Sequence, residues 1–362
     1  MREVSINSTY HRINWRLVLP VLIISLIGLL TLASLSDGLY YFKRQLLWHI
    51  LGCFVFLVTV RFVNYSKLKD NTIFYYLVCL VLLLLVLIIG KTGKGAQRWI
   101  SVGPLSFQPS ELAKVALVLI NANILTLYHE VKKIPLPVKE FFVASIPTLL
   151  YFIITLVQPD LGTALMFCFI TATMFLFAGV KKRVLVLVLI LAIVASFGGW
   201  HFLKPYQRNR ILAFIDPYQD PQGIGYHVIQ SKIAIGSGKF FGKGFKGGTQ
   251  SKLNFIPEKH TDFIFASFAE EWGFVGVTVL LLLYGFFLSE VIELFKNTKS
   301  LFSMYVSVGI VSIFLWHVFI NVGMNMGILP VVGVPLPFMS YGGTSIIMGY
   351  VSLAVLNIVS RA

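Results

Sequence analysis

Five charged residues flank apolar runs at places where chemistry is possible. Asp262 stands in Phe255-Ile256-Pro257-Glu258-Lys259-His260-Thr261-Asp262-Phe263-Ile264-Phe265-Ala266, directly before a long apolar run. Thr261 or Asp262 can cap the helix that follows. Asp262 can equally accept a proton from a substrate hydroxyl. The two roles are compatible only if one carboxylate oxygen stays free. Glu111 and Lys114 open another run, in Gln108-Pro109-Ser110-Glu111-Leu112-Ala113-Lys114. Three residues apart, they share a helix face and can pair, and Pro109 and Ser110 mark the helix start. A lysine facing lipid is costly, so Lys114 is expected to point into a polar cavity. Asp160, before Leu161-Gly162-Thr163-Ala164, is a helix cap or a ligand. Arg98, next to the interfacial Trp99, is a candidate anion ligand.

Other chemistries find no support. Gly90-Lys91-Thr92-Gly93-Lys94-Gly95 lacks P-loop spacing, and Gly236, Gly238 and Gly242 miss the dinucleotide fingerprint. No GxSxG or Cys–His arrangement occurs. The seven histidines form no metal cluster, and His260 alone is expected near the Asp262 site. Cys53, Cys79 and Cys168 sit in apolar runs and are expected to be buried thiols.

The elements that position these residues follow from composition. The chain has 362 residues, 57% hydrophobic and 12% charged. A soluble domain is about 25% charged, so a soluble enzyme is excluded, as are a disordered chain and a disulfide scaffold. The expected fold is all-α, a polytopic integral membrane protein of one domain over residues 1–362. A helix needs about 20 apolar residues to span. About ten spans are predicted, near 15–34, 44–63, 72–90, 110–128, 140–157, 161–179, 184–203, 265–292, 302–323 and 343–360. Gln158-Pro159-Asp160 reads as a tight reversal. No cleavable signal peptide is expected, because the first run is long enough to span.

Thirty Lys and Arg against fifteen Asp and Glu give a net charge of +15. The basic residues lie between apolar runs, so membrane topology and anionic lipid groups explain them better than nucleic acid does. The side that would hold both termini carries the excess, including Arg2, Arg12, Lys132, Lys133, Lys181 and Lys182. This places both termini in the cytoplasm. The opposite short loops hold Lys43, Arg44, Lys91, Lys94 and Arg98. Residues 204–264 form a long extracytoplasmic loop that includes Lys204, Arg208 and Arg210. Apolar residues at Tyr226, Ile229, Ile233 and Ile235 predict a short interfacial helix within it, followed by a Gly-rich stretch. Met324 to Gly343, rich in Pro and Gly and uncharged, predicts a rigid re-entrant segment buried against protein.

Four motifs together resemble the SEDS family (shape, elongation, division, sporulation). They are the Phe107–Lys114 run, Gln158-Pro159-Asp160-Leu161-Gly162-Thr163, Pro257 to Ala266, and Leu329 to Gly343. Gly248 to Phe255 resembles the elongation-type, RodA-like branch. The resemblance implies ten spans in a bacterial plasma membrane and a peptidoglycan glycosyltransferase acting during cell elongation. The substrate it implies is lipid II, the undecaprenyl-pyrophosphate-linked disaccharide pentapeptide. It also implies a class B penicillin-binding protein transpeptidase and the elongation machinery as partners. By the same resemblance Asp262 is catalytic, and Glu111, Lys114, Arg98 and Asp160 are functional.

Physically, such a reaction needs a base for the acceptor hydroxyl and cations for the departing diphosphate. Asp262 suits the first need; Lys114 and the outer arginines Arg98, Arg44, Arg208 and Arg210 suit the second. A Lys114–Asp262 contact would weaken the base until the diphosphate drew Lys114 away. Alternatively Asp262 holds a divalent cation, Mg or Mn, on the diphosphate. The rival functions are a flippase for the same lipid and a non-catalytic scaffold for a cell-wall synthase.

Overall fold

A computed structural model describes residues 13–35, 39–93, 96–103, 105–199, 205–219, 223–253 and 255–361. Arg2, Arg12, Lys94 and Lys204, counted in the charge bias, lie outside them. The helices are α1 (Trp15–Leu35), α2 (Tyr40–Phe62), α3 (Tyr65–Asp70), α4 (Thr72–Ile89), α5 (Pro109–Glu130), α6 (Val138–Ala144), α7 (Ile146–Val157), α8 (Leu161–Ala178), α9 (Lys182–Gly199), α10 (Pro205–Ile215), α11 (Ile224–Ser237), α12 (Thr249–Lys252), α13 (Ile264–Asn297), α14 (Leu301–Asn325) and α15 (Gly343–Val359). Seven of these are long and apolar enough to cross a membrane, or eight if the bent pair α6–α7 is one span. The apolar α15 is shorter than those seven.

Helix α5 is the best-buried candidate span. It packs against α4, α8 and α14, while α15 packs on α2 and α1 on α13. The core runs through these contacts, with Val118, Phe175, Phe265, Phe314 and Leu353 in one apolar cluster. Lipid-facing helices such as α4 keep Phe74, Val81 and Ile88 on the outside, because apolar side chains need no protein cover in a bilayer.

Three features depart from the sequence reading. The segment between α4 and α5 forms a small antiparallel sheet, β1 (Lys91–Gly93), β2 (Ala96–Val102) and β3 (Leu105–Phe107), in the order β1-β2-β3. These strands are too short to stand out against the apolar runs. The eighth predicted span breaks at Gly273, whose φ of 62° and ψ of −163° are non-helical. Segment 239–244 fills the break: Lys243 N and Gly244 N donate to Glu270 O and Glu271 O, and Phe274 N and Val275 N donate to Lys239 O and Phe240 O. Four backbone groups flanking the kink are thus paired, as burial requires. Last, the interfacial helix α11 exists, but Val228, Ser231 and Ala234 face inward while Ile233 is exposed. Packing against α13 and α14 selects that face over the more apolar one.

Other expectations match. Helix α7 ends at Val157 and α8 begins at Leu161, across a reversal at Pro159. Residues 326–342 are irregular, with Val331, Val334, Leu336, Phe338 and Met339 buried. All three cysteines are free, but only Cys79 is fully buried.

Candidate active site

Asp262 is carried by a turn. Thr261 N and Phe263 N both donate to Glu258 O, at 3.0 and 3.2 Å. The N-cap of α13 is Phe263, and no side chain caps it. The capping role allowed for Thr261 or Asp262 is therefore corrected: Asp262 lies one position before the cap residue, and Thr261 Oγ1 donates to Glu258 Oε2 at 2.9 Å. The half-exposed Asp262 lies against the re-entrant segment. A Cβ added at Gly333, where φ is +75°, would stand 3.5 Å from Asp262 Oδ2. Glycine is needed at 333 for its positive φ, because a Cβ there would meet Asp262 only at ordinary van der Waals contact.

The Asp262 backbone is held by α14. Its carbonyl accepts from Asn321 Nδ2 and Asn325 Nδ2, each at 3.0 Å. Asn321 Nδ2 also donates to Val334 O at 2.8 Å. Asn325 Oδ1 accepts Ala266 N at 3.2 Å in the first turn of α13. One turn earlier on the same stripe, His317 Nδ1 meets Pro335 O at 3.0 Å, and Nε2 meets Lys114 Nζ at 2.7 Å. A carbonyl only accepts, so the His317 proton sits on Nδ1 and Nε2 accepts from the ammonium. Residues 317, 321 and 325 recur every four positions, which places them on one face.

Lys114 also donates to Glu111 Oε1 at 2.7 Å. Lys114 is 3% exposed and Glu111 7%. Both line a small internal cavity with His317, Ser345 and Ser352. The expected polar cavity exists, whereas the anticipated Lys114–Asp262 contact does not: Lys114 pairs with Glu111 and His317. His317 stands one turn, about 6 Å along a helix, from Asn321, and its ring and Glu111 take up the Lys114 ammonium. The expectation that His260 alone lies near the site is likewise corrected by His317.

Asp160 is the N-cap of α8. Its Oδ1 accepts from Thr163 N at 3.2 Å, and its Oδ2 from Thr163 Oγ1 at 2.8 Å. Its Oδ2 lies 3.4 Å from Arg98 Nε, and Arg98 Nη2 donates to Pro159 O at 3.3 Å. Arg98 on β2 thus ties the sheet to the α7–α8 reversal. Gln108 links this pair to the start of α5 through Ser110 Oγ and Asp160 Oδ2. Arg44 is exposed on α2, with its guanidinium 4.8 Å from the Tyr40 ring centre. Arg208 and Arg210 are half-buried on α10, and each engages other groups. Among the described residues no three His, Cys, Asp or Glu side chains converge on a metal position.

Sequence reasoning missed His317, Asn321 and Asn325. Their signal was present: polar residues at i, i+4 and i+8 in an otherwise apolar span, where each needs a partner.

Residues 10–362 match the cell cycle protein family of FtsW, RodA and SpoVE. The chain belongs to this family. It is 42% identical to the peptidoglycan glycosyltransferase MrdB of Escherichia coli K12, over 76% of this chain and 74% of that one. It is 31% identical to the peptidoglycan glycosyltransferase RodA of Treponema pallidum, over 95% of this chain and 96% of that one. Among solved structures it resembles a chain described under the structural coordination of polymerization and crosslinking by a peptidoglycan synthase complex. The TM-score is 0.83 and the identity 33%, covering 96% of this chain and 98% of that one. It also resembles the rod shape determining protein RodA of Thermus thermophilus, with a TM-score of 0.73 and 28% identity over 96% of this chain and 97% of that one.

Proposed function

We propose that Asp262 is the general base of a glycan-polymerising reaction on a lipid-linked disaccharide diphosphate. The protein is a peptidoglycan glycosyltransferase of the elongation type. The substrate read for it is lipid II, held at the outer face of the bacterial plasma membrane by about ten spans with both termini cytoplasmic. The acceptor 4-hydroxyl gives its proton to Asp262 as its oxygen bonds to the donor anomeric carbon. The bond from that carbon to the diphosphate oxygen breaks, and the lipid diphosphate leaves with the electron pair. Arg44, Arg208, Arg210 and Arg98 are the cations assigned to the leaving group, Arg98 sharing its charge with Asp160. Lys114 reaches a phosphate only if its pair with Glu111 opens, so in the closed state it supports the loop beneath Asp262. The alternative role for Asp262 is as the ligand that would hold a divalent cation, Mg or Mn, whose charge would stabilise the departing diphosphate, since such ions bind through one carboxylate plus phosphates.

The observation that supports this reading is the clamp on Asp262. Three side chains of α14 fix its main chain and the neighbouring loop, while the residue as a whole is half-exposed. A base must be held in place to act. The partner read for this chain is a class B penicillin-binding protein that crosslinks the strands, with the elongation machinery around both. The test is incubation of the purified chain, alone and with that partner, with labelled lipid II. Wild type is expected to form glycan polymer in detergent and Asp262→Ala none, at equal melting temperature. An Asp262→Ala chain that polymerises alone would refute Asp262 as the base, and a wild-type and variant activity seen equally and only with the partner would favour the scaffold reading.

A further inference from the structure

We propose that Glu270 is a positioning residue for Asp262, acting through Ser251 and Lys259; the catalytic consequence rests on the function proposed above. Glu270 is 0% exposed, eight residues beyond Asp262 on α13. A buried carboxylate is costly unless fully paired, and this one is surrounded by donors. Oε1 accepts from Lys243 Nζ at 2.8 Å, Thr249 N at 2.8 Å, Gln250 N at 3.0 Å and Thr249 Oγ1 at 3.2 Å. Oε2 accepts from Ser251 N at 3.1 Å and Ser251 Oγ at 2.8 Å. One side chain thus gathers the start of α12 and the Gly-rich segment before it.

The same segment is fixed a second time at the kink of α13, where Lys243 N donates to Glu270 O. Gly248 has no room for a side chain: an added Cβ would lie 2.8 Å from Glu270 Oε2. Glu270 therefore makes an otherwise irregular, lysine-rich stretch into a rigid wall.

That wall reaches Asp262 by one further link. Ser251 O accepts from Lys259 Nζ at 2.6 Å. Lys259 is only 9% exposed and belongs to the turn that carries Asp262, in which Thr261 N and Phe263 N close on Glu258 O. Glu258 itself has a φ of 54°, a left-handed conformation that surrounding contacts must maintain. Asp262 is thus held from two sides, by the α14 asparagines on its carbonyl and by Glu270, through Ser251 and Lys259, on its turn. Lys243 pairs with Glu270 at 2.8 Å, so the segment supplies the counter-charge of the carboxylate that holds it.

The experiment uses the full chain with labelled lipid II and compares Lys259→Met, Glu270→Gln and Glu270→Asp. Lys259→Met touches none of the Glu270 contacts and removes the last link, the bond to Ser251 O. It is expected to lower kcat about tenfold with KM within about twofold of wild type. Hydrogen exchange should quicken about tenfold at the Thr261 and Phe263 amides, while the Thr249 to Ser251 amides stay protected. Glu270→Gln should lose protection at both places with the same kcat fall, and Glu270→Asp, which keeps the charge, should recover part of it. Unchanged kcat and unchanged exchange at Thr261 and Phe263 in Lys259→Met overturn the inference, even if Glu270→Gln fails to fold. An exchange gain spread over the whole chain also overturns it, as the mark of a general loss of stability. Exchange does not depend on turnover, so a wild type that makes no polymer defeats the function while the positioning result stands.

Discussion

The chain holds two charged centres joined by one stripe of α14, and they are built on opposite plans. At the lower centre, Glu111, Lys114 and His317 are buried and matched to one another at 2.7 Å. At the upper one, Asp262 has its main chain clamped and is half-exposed beside Gly333. A buried ion pair fixes geometry and resists change. A rim carboxylate on a fixed turn can meet a substrate hydroxyl without reorganising its support. With the function proposed for Asp262, the contrast would give holding to the lower centre and chemistry to the upper.

That contrast is most sharply tested by the two charge removals. Asp262→Asn should lower polymerisation about 10²- to 10⁴-fold, the usual contribution of a general base, with the melt unmoved. Restoration of the Asn variant by added Mg or Mn would instead make Asp262 a cation ligand. Lys114→Met should do the reverse in kind. It strands Glu111 in the interior, costing about 3–5 kcal/mol of stability, readable as a lower midpoint in a denaturant melt. Adding Glu111→Gln should return much of that loss; an unchanged midpoint in the single variant would erase the distinction between the centres.

Smaller effects refine it. Asn321→Ala removes a donor shared by Asp262 O and Val334 O; Asp262 O keeps Asn325 Nδ2, while Val334 O loses its side-chain partner at about 1–3 kcal/mol. It should reduce kcat more than it raises KM, because the turn is displaced while the binding surface remains. Asp160→Ala removes the cap of α8 and a partner of Arg98, and should cost about 0.5–2 kcal/mol by the same melt. Its effect on polymerisation should stay the weaker of the two.

Much of this was legible in the residues. The apolar runs fixed the helices to within a few positions, since only helices and closed barrels satisfy the backbone in lipid. Pro109 and Asp160 marked true helix starts, and the Pro- and Gly-rich stretch near Gly333 is the buried irregular segment expected. Other parts were not legible. The partner of Lys114 came from His317, two hundred positions away, and the break at Gly273 is stabilised by residues 239–244 from another part of the chain. The three short strands carried no period strong enough to register beside their apolar neighbours.

By itself, then, the sequence determined that this is a helical membrane protein with a carboxylate at the start of α13 and a Glu111–Lys114 pair at the start of α5. Those conclusions rest on local rules, on run length, spacing and helix-start chemistry. Only the tertiary structure decided that Lys114 belongs to His317, that Asp262 forms no cap, and that Glu270 binds the Gly-rich segment. Side-chain partners in a bundle are set by which helix faces pack together and at what depth, and neither quantity is carried by any one stretch of chain.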